Sequence, residues 1–238
     1  MRGARQSLAF LTRLPVAAGG EEARGILAWF WLPGVLYGAV WMAARWTAHF
    51  LPASVAALAA VAGEALLSGA FHWDGWADVF DAWAAGPEHR QAARRDSRLG
   101  AVGAVFLGLG LAGMMILFRA TVARMPVAPA LLAPLMARAV MAAGLASQPV
   151  EPASHLARWL KASAQGRDAA VTLAVAIGLA LLLLGVRGLL LTAGVAVVVA
   201  GFWFWTRRLF GGLNGDVLGA TAILTELTWM LGLLWGGH

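Results

Sequence analysis

Cysteine is absent from these 238 residues. Disulfides, thiolate zinc sites, iron–sulfur clusters and cysteine nucleophiles are therefore excluded. Charge is scarce as well. Lys+Arg is 18 and Asp+Glu is 12, so 13% of the chain is charged, against roughly 25% in a soluble protein. The apolar share is 61%, more than a globule of this size can hide while keeping a polar surface. A soluble domain and a disordered chain are both excluded. The net charge of +6 does not point to nucleic acid, because the basic residues punctuate apolar runs instead of forming a patch. No signal peptide is expected: a cleavage motif is lacking, and the apolar stretch at 8–10 is too short for an h-region.

Long apolar runs are present instead. A bilayer crossing takes about 20 apolar residues, and seven stretches approach that length: 25–44, 51–71, 99–118, 125–145, 169–186, 188–205 and 217–235. Alanine, glycine and leucine dominate them, and small residues let helices pack closely in lipid. Trp29, Trp31, Trp41, Trp46, Trp203, Trp205, Trp229 and Trp235 fall towards segment ends, where interfacial tryptophans gather. The expected fold is all-α: one membrane-embedded bundle over 1–238, with about seven transmembrane segments. With the N-terminus inside, thirteen basic residues fall on the cytoplasmic side and four outside, a strong positive-inside bias. The cytoplasmic parts are then the tail 1–24, the segment 72–98, the loop before 169 and the segment 206–216.

The polar minority is concentrated in two of these regions. Asp74, Asp78 and Asp81 are spaced four and three apart, which places three carboxylates on one helical face. Like charges so placed repel unless a cation sits among them, and carboxylates without cysteine suit a hard ion such as Mg²⁺. A solvated acidic face is the alternative, but Trp73, Trp76 and Trp83 interleave with the acids. Downstream, Arg94, Arg95, Asp96, Ser97 and Arg98 precede Gly100 and Gly103. Forked guanidinium groups and a glycine-lined helix start suit phosphate, although a topology signal would also be arginine-rich. The second region holds Arg207, Arg208, Gly211, Gly212, Asn214 and Asp216. Here Asp216 could cap a helix and Asn214 could supply a turn. Glu64, Arg138 and Glu226 lie within apolar segments. Ionisable groups at depth are costly and mark either function or a helix–helix ion pair, of Arg138 with Glu64 or with Glu226.

Taken in order, these motifs resemble the cobalamin synthase (adenosylcobinamide-GDP ribazoletransferase) family over nearly the whole chain. Phe10-Leu11-Thr12-Arg13-Leu14-Pro15-Val16 is similar to its N-terminal signature, and Arg24-Gly25 with Pro33-Gly34 and Gly38 to its first segment. Gly69 to Asp78 with Asp81 is similar to its acidic stretch, and Arg95 to Gly100 with Gly103 to its basic one. Gly211-Gly212, Asn214-Gly215-Asp216, Gly219-Ala220 and Glu226 are similar to its C-terminal motif. Two positions depart from the pattern: Ala82 stands where glycine is usual, and Ile223 where Glu or Gln is common.

The resemblance implies a multi-pass enzyme of the bacterial cytoplasmic (inner) membrane. It would join adenosylcobinamide-GDP to α-ribazole, or to α-ribazole 5′-phosphate, and release GMP with the help of Mg²⁺. Phosphoryl transfer of this kind needs cations and in-line positioning more than covalent help. On that footing Asp74, Asp78, Asp81 and Asp216 are expected at the metal. Arg94, Arg95, Arg98, Arg207, Asn214 and Arg138 are expected at the substrates, with Arg95 and Arg98 also stabilising the leaving GMP. Asp96 or His72 is expected to accept the ribose hydroxyl proton. A homo-oligomer is left open. Other aspartate-rich membrane transferases remain alternatives, either CDP-alcohol phosphotransferase-like or prenyltransferase-like. So does a transporter coupled through Glu64, Glu226 and Arg138. A transporter would place its polar groups at mid-depth in related halves, and this chain shows no clear internal repeat.

Overall fold

The computed structural model describes residues 2–17, 25–95, 98–124, 128–162 and 164–235, with the side chains among them except those at 91–95, 123–124 and 128–130. The described chain is helical almost throughout. In order, the helices are α1 (Arg2–Leu11), α2 (Trp31–Thr47), α3 (Ala53–Ser68), α4 (Phe71–Ala84), α5 (Gly86–Arg95) and α6 (Ala101–Arg124). They continue with α7 (Ala128–Ser147), α8 (His155–Ala162), α9 (Gly166–Leu184), α10 (Val186–Phe210) and α11 (Gly215–Leu234). A short 3-10 turn, Ile26–Trp29, leads into α2. No strand occurs among the described residues, only an isolated bridge between Val150 and Leu213. Alanine and leucine favour helix, and a helix satisfies its own backbone groups where lipid offers no hydrogen bonds.

This is a multi-pass membrane bundle, but its segments differ from the seven expected. Among the described residues, five helical stretches are long and apolar enough to cross a bilayer: 26–47, 101–122, 166–184, 186–210 and 215–234. A sixth crossing arises only if α3 and α4 count together, and these two meet at 90°. The apolar part of α7, Leu131–Ser147, is shorter than the rest. The segment from 72, read as a connection that carries three acids on one helical face, is helical along most of its length: α4 and α5 occupy it up to Arg95. Two of the tryptophans expected at the interface, Trp41 and Trp229, are instead fully buried.

The right angle between α3 and α4 has a local cause. Gly69 and Ala70 both adopt left-handed backbone, with φ of 69° and 62°. Ala70 N–H donates to Ala65 O at 2.7 Å and Gly69 N–H to Leu66 O at 3.3 Å, the paired bonds of a Schellman ending. The next free carbonyl, Leu67 O, accepts from Arg13 N–H at 2.7 Å. The segment after α1 thus completes the end of α3. Left-handed backbone costs a non-glycine residue about 1–2 kcal/mol, so Ala70 holds strain that the surrounding packing must offset.

From the bend, α4 runs directly against α11. A Cβ at Gly75 would stand 2.7 Å from the carbonyl oxygen of Asp216 and 2.9 Å from its Cα, and one at Gly219 would stand 3.1 Å from Phe71 O. Each helix therefore has a glycine where the other's backbone passes. Arginines and the sole lysine close several helix ends. Arg45 donates to Thr121 O and Val122 O at 3.1 and 3.2 Å. Arg187 donates to Leu233 O and Trp235 O, and Lys161 to Ala146 O at 2.8 Å. Arg90 bridges two ends, donating to Ala82 O at 3.2 Å and Leu209 O at 3.1 Å. Cations near helix C-termini satisfy orphan carbonyls and oppose the helix dipole.

The glycine contact generates a graded prediction. Gly75→Ala meets backbone that cannot swing aside, and overpacking of this kind costs about 1–3 kcal/mol. Gly219→Ala meets looser contacts and should cost less. Thermal melts of the purified protein in detergent should rank wild type above Gly219→Ala and Gly219→Ala above Gly75→Ala. Equal melting of all three would show that α4 and α11 do not approach this closely.

Candidate active site

Asp74 lies in the first turn of α4 and Asp216 in the first turn of α11. Both carboxylates stand at the positive ends of helix dipoles. The close crossing of these helices puts both acids on one cavity of about 260 Å³, whose walls include Phe10, Phe71, Met141, Leu156 and Leu218. Asp78 follows one turn after Asp74 on α4 and is half-buried. The acidic stretch and the C-terminal motif, distant in sequence, thus share a site.

Asp81 has a different task. Its Oδ2 accepts from Gly100 N–H at 2.8 Å and its Oδ1 from Gly103 N–H at 2.7 Å. The carboxylate caps the start of α6, and a Cβ at either glycine would collide with it. Asp81 also lines a second cavity of about 360 Å³ with Arg98 and Ala85. The four acids expected at one metal are therefore not gathered in one place. Among the described residues, no three His, Asp or Glu side chains come together closely enough to hold a metal by themselves. Two carboxylates on one cavity nevertheless fit Mg²⁺, a hard ion that commonly takes one or two carboxylates and fills its remaining positions with water and substrate phosphate.

Other expected residues also divide. Asn214 is buried and works as the N-cap of α11: its Oδ1 accepts from Val217 N–H at 2.8 Å, and its Nδ2 donates to Glu151 Oε2 at 2.8 Å. With both ends of its amide used inside the fold, it does not face a substrate. Arg207 is exposed and lines a third, smaller depression beside Pro149 and Trp203, away from Asp74 and Asp216. Asp96 and the side chains of Arg94 and Arg95 lie outside the described residues.

The intramembrane charges form a single cluster. Arg138 is fully buried. Its Nη1 pairs with Glu226 Oε1 and its Nη2 with Glu64 Oε1 at 3.2 Å. The guanidinium lies 3.8 Å from the centre of the Tyr37 ring. Trp41 Nε1 donates to the other Glu64 oxygen at 3.0 Å. The expected pairing of Arg138 with Glu226 is present, and Glu64 joins it. Arg138 is not on the wall of the acidic cavity and is not placed as a substrate contact. The helix carrying Glu226 runs unbroken from Gly215 to Leu234, so Glu226 and Asp216 sit at different depths.

His72 belongs to the same cluster. Arg138 Nη2 lies 3.1 Å from His72 Nδ1. A guanidinium offers no lone pair, so Nδ1 accepts and the ring hydrogen is on Nε2. That atom is buried and has no hydrogen-bond partner among the described residues. An imidazole fixed in this tautomer, away from the cavity, is not positioned to take a proton from a ribose hydroxyl. Sequence reasoning missed the cavity walls themselves. Phe10 belongs to the N-terminal motif and Phe71 directly precedes His72, but nothing in their spacing marks them as neighbours.

Fold and site together define a polytopic membrane protein with a small apolar cavity rimmed by two carboxylates. The chain belongs to the family described as CobS, cobalamin-5-phosphate synthase, whose model matches residues 3–234. Relatives named adenosylcobinamide-GDP ribazoletransferase agree along nearly the full length. The one from Ralstonia nicotianae is 35% identical over 96% of this chain and 93% of its own. The one from Klebsiella pneumoniae subsp. pneumoniae is 32% identical over 96% and 97%, and the one from Shewanella frigidimarina 31% over 96% and 92%. No solved structure matches the chain.

The charge cluster predicts an ordered set of stabilities. Arg138→Met leaves two buried carboxylates without their cation, and breaking a buried ion pair on one side costs about 3–5 kcal/mol. It should lower Tm and membrane yield more than Glu226→Gln, which leaves Glu64 to balance the arginine. Arg138→Met with Glu226→Leu still strands Glu64, so recovery should need Glu64→Gln as a third change. An Arg138→Met protein melting like wild type would exclude this cluster as a stabilising centre.

Proposed function

We infer that this chain joins adenosylcobinamide-GDP to α-ribazole, or to its 5′-phosphate, and releases GMP in the assembly of cobalamin. Membership of the family over residues 3–234 is the observation that carries this reading, and the relatives' shared name supports it. A ribose hydroxyl oxygen forms a bond to the corrinoid-side phosphorus of the diphosphate. The bond from that phosphorus to the bridging oxygen breaks, and GMP leaves with the oxygen.

We further propose that Asp74 and Asp216 hold Mg²⁺ at the cavity rim, with Asp78 one turn behind. Bound there, the ion would neutralise charge on the diphosphate. The chain's own contribution is binding and orientation: α4 and α11 fix the two carboxylates beside a cavity with apolar walls. Arg98 lies on the second cavity with Asp81. Asp74 and Asp81 are seven residues apart on α4, about 10 Å of helix rise. A substrate extended through a diphosphate can reach from one end of that face to the other, and Arg94, Arg95 and Arg98 would serve its phosphates. Asp96 is left as the group proposed to take the hydroxyl proton. We place the protein in the bacterial inner membrane with its N-terminus inside, supported by the distribution of basic residues.

Purified protein in detergent should release GMP from adenosylcobinamide-GDP only when α-ribazole and Mg²⁺ are both present. Asp74→Asn and Asp216→Asn should each reduce turnover by at least about 100-fold, the upper part of the range for losing a group that supports a metal site, while leaving Tm near that of wild type. Raised Mg²⁺ should recover part of the loss. Full activity in either variant, or undiminished wild-type activity in EDTA, would remove the metal assignment.

Because the chain has no cysteine, its sidedness can be read directly. Single cysteines replacing the exposed Glu88 and Arg208 should react with an impermeant maleimide only in inverted vesicles. Labelling of either one in intact cells would reverse the proposed orientation.

A further inference from the structure

We propose that the apolar interior of the Asp74–Asp216 cavity binds the aromatic base of the ribazole substrate. This rests on the reaction proposed above and assigns one of its two substrates to a defined place. The cavity holds about 260 Å³, a little below the ~300–1,000 Å³ of pockets that enclose drug-sized ligands. One bicyclic aromatic ring system fits in such a space, whereas a corrin macrocycle does not.

Three aromatic bases take part in the reaction: adenine and guanine on the corrinoid substrate, and dimethylbenzimidazole on the ribazole. The purines carry N–H groups and ring acceptors that need partners when buried. The side chains of the cavity wall are those of Phe10, Phe71, Met141, Leu156 and Leu218, with Gly215 and Gly219 between them, and its charged groups are the two aspartates. Glycosylated dimethylbenzimidazole has no N–H, a single acceptor nitrogen and two methyl groups. It is the base whose chemistry matches a wall of aromatic and aliphatic side chains. Because it cannot donate to the carboxylates, it leaves them for the ribose and the metal.

The two aromatic walls are set in place before any ligand arrives. The Phe71 ring lies 4.1 Å from the imidazole of His72, centre to centre, and Arg138 holds that imidazole. Phe10 stacks on Phe30 with centroids 6.1 Å apart. Preorganised walls reduce the ordering that binding would otherwise require. Guanine is the competing occupant, since a carboxylate can accept from its N1–H and exocyclic amine.

The test compares wild type with Phe71→Leu and Leu156→Trp. Leu156 is 42% exposed on α8, so tryptophan there can fill the cavity without disturbing the core. α-Ribazole binding is measured by equilibrium dialysis without the second substrate, and KM is measured for each substrate. Wild type should prefer α-ribazole to the riboside lacking both methyls by about 15-fold, about fourfold per buried methyl. Leu156→Trp should weaken α-ribazole binding by at least about tenfold, as expected for a fully displaced contact, and Phe71→Leu should reduce the methyl preference. KM for adenosylcobinamide-GDP should change far less than KM for α-ribazole. The proposal is overturned if wild type binds no α-ribazole, if both variants bind it as wild type does, or if the larger change falls on adenosylcobinamide-GDP. If wild type releases no GMP with both substrates and Mg²⁺, the reaction itself is refuted, while the dialysis series still decides what the cavity holds.

Discussion

A single buried guanidinium holds this bundle in register. Arg138 of α7 meets Glu226 of α11, Glu64 of α3 and His72 of α4, while Tyr37 and Trp41 of α2 close the cluster. Five helices converge on one charge. Hydrophobic association between helices is weak when their surroundings are equally apolar. Apolar surfaces of Ala and Leu could slide past one another at little cost, but a charge cluster cannot, because any shift leaves a buried ion uncompensated.

The acidic cavity depends on this centre through a short chain of contacts. The left-handed pair Gly69-Ala70 turns the backbone through a right angle and presents His72 and Asp74 in the first turn of α4. Arg138 fixes His72 by its Nδ1. Gly75 then lets α4 pass against the backbone of Asp216. Asn214 caps α11 and ties its start to Glu151. Asp74 and Asp216 are thereby brought to one cavity from opposite halves of the chain, each at a helix N-terminus.

Charged residues in this protein serve two purposes that look alike in sequence. Asp81 caps α6 through two glycine N–H groups, although its spacing from Asp74 and Asp78 is that of a shared ligand face. Arg45, Arg90 and Arg187 complete helix C-termini, although they also read as topology signals. Buried backbone must be satisfied before side chains are free for substrate, and a membrane bundle with many helix ends consumes much of its small charge complement this way.

The membrane-spanning all-α class was legible from residue types alone, because low charge and long apolar runs leave few other folds for a chain of this size. The ordered motifs were enough to indicate the family, and the pairing of Arg138 with Glu226 followed from the cost of isolated charge at depth. The break at Gly69-Ala70 was not legible, since the apolar run continues through it to Phe71 while the backbone changes hand. Nor was the division of labour among the acids: Asp74 and Asp81 share a helix, but only the approach of α6 engages one and only the approach of α11 places the other on the cavity. The cavity walls from α1, α4, α7, α8 and α11 have no local signature either. Composition and periodicity report what one segment prefers by itself. Which carboxylate caps a helix and which is left for chemistry depends on what packs against it, and that is decided only when distant segments meet.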